Sequence, residues 1–202
     1  MRFTMAKPRL VTTLVLAFAA SSLPISVAAA ATPATGHPSR TPSSTAAPAL
    51  SASELSAIAP GFRAGRCLVL DNLTEHFIPG SGSVTGAGPN PSEPTVGQRG
   101  TYSMRIVDAA GDQIGSMLNG TTYVYAQAAN GDFLSRGDEH ITLNDGAIHA
   151  EGNYDLSATL AHNWQAIPAV GTSGRYRGMH GVELFYDVVN PVLFDEAFVM
   201  CR

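Results

Sequence analysis

The sequence predicts an all-β fold. About eight segments alternate apolar and polar residues with period two, clusters of Gly, Asn, Asp and Pro bound them, and helix signals are nearly absent. The first segment is Arg66–Phe77. Thr101–Ala109 and Gln113–Leu118 follow on either side of the turn Ala110-Gly-Asp112, and Thr121–Ala128 comes after Asn119-Gly120, a dipeptide that predicts a hairpin. Asn130-Gly131 predicts the next hairpin, leading into Phe133–Leu143, which is joined to Ala147–Leu156 through Asn144-Asp-Gly146. Met179–Val189 and Val192–Cys201 close the series through Asn190-Pro191. Gly80–Gly100, rich in glycine and proline, reads as a long loop placed to cover one end of the fold.

Period-two alternation also assigns faces. Ile148, Ala150, Tyr154 and Leu156 form an inner set against His149, Glu151, Asn153 and Asp155. By the same rule Tyr102, Met104 and Ile106 face inward on an earlier strand, and Val182, Leu184, Tyr186 and Val188 do so opposite Glu183 and Asp187.

Three segments organise the chain: 1–30, 31–59 and 60–202. Residues 1–30 have the form of a secretory signal peptide, with Arg2, Lys7 and Arg9 ahead of the apolar run Leu10–Ala20 and small residues from Val27 to Ala31. That run is shorter than the roughly 20 residues that span a bilayer, so no membrane span is expected in the mature chain. Residues 31–59 are dominated by Thr, Pro, Ala and Ser and read as a linker with too little apolar surface to fold alone. The expected location is therefore secreted and extracellular.

Loss of the leader would take three of the twelve basic residues and none of the sixteen acidic ones, leaving a formal charge of −7. With no lysine after Lys7 and with scattered arginines, the mature chain offers no phosphate-tracking surface, and a nucleic-acid partner is not expected. Cys67 and Cys201 are the two cysteines and lie near opposite ends of the folded segment. In an exported protein a disulfide between them is favoured over two buried thiols.

The run Pro168-Ala-Val-Gly-Thr-Ser-Gly-Arg-Tyr-Arg-Gly-Met-His-Gly181 resembles a V-x-G-G-T/S-G-x-[FY]-x-G-A-x-G-like hallmark of the allene oxide cyclase and dirigent superfamily. Asp145-Gly-Ala-Ile-His-Ala-Glu-Gly152 is similar to that superfamily's D-G-x-I-x-x-x-G strand, and Pro191–Phe198 to its closing strand. One departure is Thr172, where many members carry a second glycine. The resemblance implies a closed antiparallel eight-stranded β-barrel whose first and last strands are neighbours. A Cys67–Cys201 bond would then pin the seam, pairing Val69 with Val199, Asp71 with Ala197 and Leu73 with Asp195. Relatives assemble through outer barrel faces, so a homo-oligomer is compatible with the apolar residues of Leu68–Leu73.

Signatures of nucleophile elbows, phosphate loops and zinc proteases are missing from the sequence. The six histidines are too dispersed along the chain to suggest a metal site, and neither metal nor cofactor is expected. By resemblance, an acid on the opening strand takes part in the reaction, and Asp71 or Glu75 matches that region as the catalytic candidate. Burial in an apolar barrel would raise such a carboxyl's pKa. The alternative for Asp71 is an exposed position at the strand's end. Tyr102, Tyr154, Tyr186 and Phe198 are the candidates for shaping a ligand cavity, against a reading in which they simply fill the core. Three functions stay open: a cofactor-free cyclase or isomerase acting on an apolar, oxygenated small molecule; a non-enzymatic extracellular carrier of such a molecule; and a dirigent-like protein steering reactive intermediates.

Overall fold

The computed structural model describes residues 67–90 and 93–202, together with Ser51, Ser53, Leu55 and Ala57. The expected leader and most of the expected linker lie outside the described residues. Strands β1 (Cys67–Phe77), β2 (Ser83–Thr85), β3 (Arg99–Val107), β4 (Gln113–Gln127), β5 (Phe133–Leu143), β6 (Gly146–Asp155), β7 (Gln165–Gly174), β8 (His180–Val189) and β9 (Leu193–Cys201) form one antiparallel sheet. A five-residue helix, α1 (Leu156–Leu160), crosses from β6 to β7 and is capped by Asp155, whose Oδ1 accepts from the Ala158 amide at 2.9 Å. No helix among the described residues is long and apolar enough to cross a membrane.

β1 pairs with β9 along most of its length and with β3 at its C-terminal end, where Thr74 faces Val107 and Phe77 faces Met104. The two pairings close an eight-stranded barrel, and β2 adds to β3 beyond the point where β1 stops. Cys67 and Cys201 are register partners joined by a disulfide, so the covalent bond lies on the β1–β9 seam as expected.

Two differences from the sequence reading share one cause. Asn119-Gly120 is not a hairpin turn but a bulge within the continuous β4: Met104 faces Met117 while Tyr102 faces Gly120, one extra residue on β4. Asn119 takes φ +58° there. Asparagine adopts left-handed backbone readily, and both hairpin turns and bulges use that conformation, so the dipeptide alone does not separate them. β1 carries a second bulge. Leu70 faces Phe198 but Leu73 faces Glu196, with Asn72 at φ +56° taking up the extra residue. The expected pairings hold for Val69 with Val199 and fail beyond it. Two further strand differences are Gln165–Gly174, which the sequence presented as a glycine-marked connection and which is β7, and Ser83–Thr85, which lies within the expected Gly80–Gly100 loop and pairs with β3 as β2.

The glycine run has a packing explanation. After β7 the chain folds back through Arg175–Met179, with the Gly171 amide donating to the Met179 carbonyl at 2.8 Å. A Cβ on Gly171 would lie 1.7 Å from the Tyr176 carbonyl oxygen, and one on Gly181 would lie 1.7 Å from that of Val199. The fold-back drives Tyr176 into the barrel end, 2% exposed, where its hydroxyl donates to Asp145 Oδ1. Tyr176, Ile106, Met117, Ile141, Ile148, Met179, Phe198 and Met200 fill that half of the lumen. An outer-face cluster of Val69, Val182, Leu184, Ala197 and Val199 is covered by Trp164, Ala166 and Leu55.

Replacing Cys67 and Cys201 together by serine should lower the unfolding free energy by about 3–5 kcal/mol, because the bond spans 134 residues; urea denaturation measures it. Gly171→Ala should cost about 2–3 kcal/mol or more by the same assay. Gly178→Ala, at φ +75° with no atom within 4 Å of the added carbon, should cost only about 1–2 kcal/mol.

Candidate functional site

The other half of the lumen is not filled. A cavity of about 140 Å³ opens there, bordered at its mouth by Val84, Pro94, Leu156 and Pro191. The Gly80–Gly100 segment therefore does contribute to one barrel end, through Val84, Pro94 and Gln98. Phe77, Met104, Phe185 and Phe194 supply apolar wall. Among them stand three carboxyl groups, Glu75, Glu139 and Glu183, with Glu196 buried close by.

Each carboxyl is delivered by strand phase. On β5 Glu139 alternates in step with Ile141 and Leu143, and on β9 Glu196 does so with Phe194, Phe198 and Met200. On β1 the Asp71–Asn72 bulge shifts the phase, so that Leu68 and Leu70 point inward before it and Leu73, Glu75 and Phe77 after it. Without the extra residue Glu75 would face out.

All four glutamates are less than 8% exposed. Burial is the largest influence on each and pushes its pKa up; Glu139 raises Glu75 and Glu183 further, and Glu75 does the same to Glu196. Glu139 rises least freely, because hydrogen bonds donated by Glu183 and by the Tyr102 hydroxyl favour its charged form. In each case desolvation favours the protonated carboxyl over the charged one. Glu75 Oε1, Glu139 Oε2, Glu183 Oε2 and both oxygens of Glu196 have no protein partner. Glu75, Glu183 and Glu196 each place an oxygen within 4.8 Å of the other two, a spacing that a hard cation could bridge if they were ionised.

The sequence candidates separate cleanly. Glu75 is in the cavity wall, as are Tyr102 and Tyr154. Tyr154 meets Thr122 Oγ1 at 2.8 Å and stands edge-on to Phe185, with ring centroids 5.2 Å apart. Asp71 is exposed on the bulge, outside the lumen, and borders a second, more open depression at the opposite mouth with Leu70, Asn144 and Asp145. Phe198 is inside the barrel but belongs to the packed half. Tyr186 is outside: it packs against Trp164, with centroids 5.5 Å apart, and against His162.

β8 has the inverse of its expected facing. Glu183 and Phe185 point in, while Val182 and Leu184 join the outer cluster. The alternation was correctly periodic, but its apolar phase is buried from outside, by Trp164 and Ala166 and by Leu55 from the N-terminal side of the chain, rather than by the lumen. Glu183 was missed for this reason, and Glu139 and Glu196 were not singled out. Their signal was available in part: Glu139 and Glu196 share the phase of large apolar neighbours.

The allene oxide cyclase barrel-like domain matches residues 82–200, more than half of the chain. No curated protein matches. Among solved structures, AbnU, an exo-specific intermolecular Diels–Alderase, is 26% identical with a TM-score of 0.60, over 66% of this chain and 96% of that one. A nonspecific heme-binding cyclase that catalyses [4 + 2] cycloaddition in neoabyssomicin biosynthesis is 29% identical, TM-score 0.56, over 67% of this chain and 64% of that one. The Diels–Alderase AbmU from Streptomyces koyangensis is 30% identical, TM-score 0.57, over 69% of this chain and 65% of its own. With a closed eight-stranded barrel, a glycine run folded back to plug one end and a cavity at the other, this chain belongs to the allene oxide cyclase barrel-like family.

Proposed function

We propose that the barrel takes an apolar, oxygenated small molecule into its open half and directs its cyclisation or isomerisation. The observation that carries this reading is the set of buried carboxyl groups lining an otherwise apolar and aromatic cavity. A neutral carboxyl there is a strong hydrogen-bond donor that water does not screen, directed at any carbonyl or epoxide oxygen entering the cavity. Donation draws electron density from a conjugated system and lowers the barrier to ring closure, while the Phe77, Phe185 and Tyr154 rings hold the chain folded. Glu75 is the leading donor, since its Oε1 has no protein partner; the Tyr102 hydroxyl is engaged by Glu139. The cyclase identities of AbnU and AbmU support this reading. Action outside the cell belongs to the same proposal, supported by the disulfide on the barrel seam.

Native mass spectrometry of the mature protein, purified without detergent and offered an excess of conjugated dienones and oxylipins, should show one molecule bound per barrel. Turnover should give a cyclised product. Glu75→Leu preserves volume and removes the donor; it should cut the rate about 100-fold with binding nearly unchanged. Equal turnover by the variant would remove Glu75 from the mechanism. Binding without turnover in both proteins would make the barrel a carrier.

The carboxyls also set a pH dependence. Their pKa is raised on folding, so the folded state holds more protons than the unfolded one once pH exceeds the ordinary glutamate value near 4.5. Their contribution to stability is therefore greatest below that value and is lost as pH rises through the folded pKa. Glu196→Gln cannot ionise, so it should be more stable than wild type at pH ~8 and show a smaller difference at pH ~4.5 in urea denaturation series.

A further inference from the structure

On the outer face of β5 and β6, away from the lumen, three metal-ligating side chains converge. The register pairs His140 directly with His149 and places Asp138 two residues before His140 on the same face. The two imidazoles stack with centroids 4.3 Å apart and planes within 8°. Both rings present Nε2 to one oxygen, Asp138 Oδ1, which lies 2.9 Å from His149 and 3.8 Å from His140. All three ligand atoms fall within 4.8 Å of one another.

We propose that Asp138, His140 and His149 form a surface site for a borderline transition-metal dication of the Zn²⁺ or Cu²⁺ class. Two imidazole nitrogens and one carboxylate oxygen are the donor set such ions prefer, whereas Ca²⁺ and Mg²⁺ take oxygen ligands. The His149–Asp138 contact is a hydrogen bond, but His140 is too far from the same oxygen to make one. A cation seated between the three would bond to all of them.

The scaffold suits the task. The ligands come from the middle of two paired strands whose inner faces carry the buried Glu139, Ile141, Ile148 and Ala150, so backbone positions are fixed by the core. The neighbouring positive charge, Arg136, is held 2.7 Å from Glu151 on the adjoining strand, which leaves Asp138 to the histidines. Side chains remain open to solvent, with His140 71% and Asp138 44% exposed, so an ion reaches the site without unfolding and water completes its coordination. Histidine spacing along the chain hides this arrangement, because the partner of His140 is nine residues away and meets it only through the β5–β6 hairpin.

The test uses untagged mature protein, freed of metal by chelation, titrated with Zn²⁺ and separately Cu²⁺ by calorimetry and in competition with a chromophoric indicator. One ion per chain is expected. His140→Ala and His149→Ala should each weaken binding at least about tenfold, the loss that removing even an outer partner of a metal site produces. Asp138→Asn should weaken it less. His180→Ala, an exposed histidine outside the cluster, should leave affinity unchanged. Each substitution is on the outer face, and circular dichroism confirms folding. Absence of binding, Ca²⁺ competing as strongly as Zn²⁺, or full binding by the His140→Ala/His149→Ala double variant would overturn the proposal.

Discussion

The hydrogen-bonded closure of β1 onto both β9 and β3 governs what the remaining strands can do. Closure turns each strand's alternation into an assignment of lumen or outside, and it fixes that assignment in register with both neighbours. A bulge is then the one local device that changes a strand's facing without breaking the ring. β1 uses it at Asp71–Asn72, where one added residue carries Asp71 to the surface and brings Glu75 inside. The disulfide at the strand's beginning and the β3 pairing at its end hold both halves in place across that irregularity.

Within the closed ring the lumen divides by composition. At one end Tyr176, delivered by the fold-back after β7, completes a plug of isoleucine, methionine and phenylalanine. Four glutamates occupy the middle and the cavity wall. Few protein donors reach their unpartnered oxygens, and desolvation favours the neutral over the charged form. The same desolvation that costs stability as the carboxyls ionise sets acids of raised pKa beside a cavity. Buried polar groups left without partners are where a structure departs from what stability alone would favour, and that departure is the strongest physical pointer to a ligand.

The fold was largely legible in the sequence. Alternation, the Asn130-Gly131 and Asn144-Asp145 turns and the glycine run place most strands within a few residues. Asn119-Gly120 misled because left-handed asparagine serves bulges as well as hairpins. The candidate site was legible only in part: Glu75, Tyr102 and Tyr154 are in the cavity, while Asp71 and Tyr186 are outside and Phe198 is in the packed half. Tyr186 failed because Leu184 and Val182 beside it are buried from outside, by Trp164 and Leu55, and an apolar phase does not say which body covers it.

What the sequence by itself determined is the strand periodicity, the turn chemistry and the places where a Cβ has no room. These are properties of neighbouring residues and of backbone sterics. The tertiary structure alone decided which face of each strand looks into the barrel, which carboxyls share one desolvated space, and which histidines stand side by side. Those depend on register and closure among residues far apart in the chain, where a single inserted residue inverts a face.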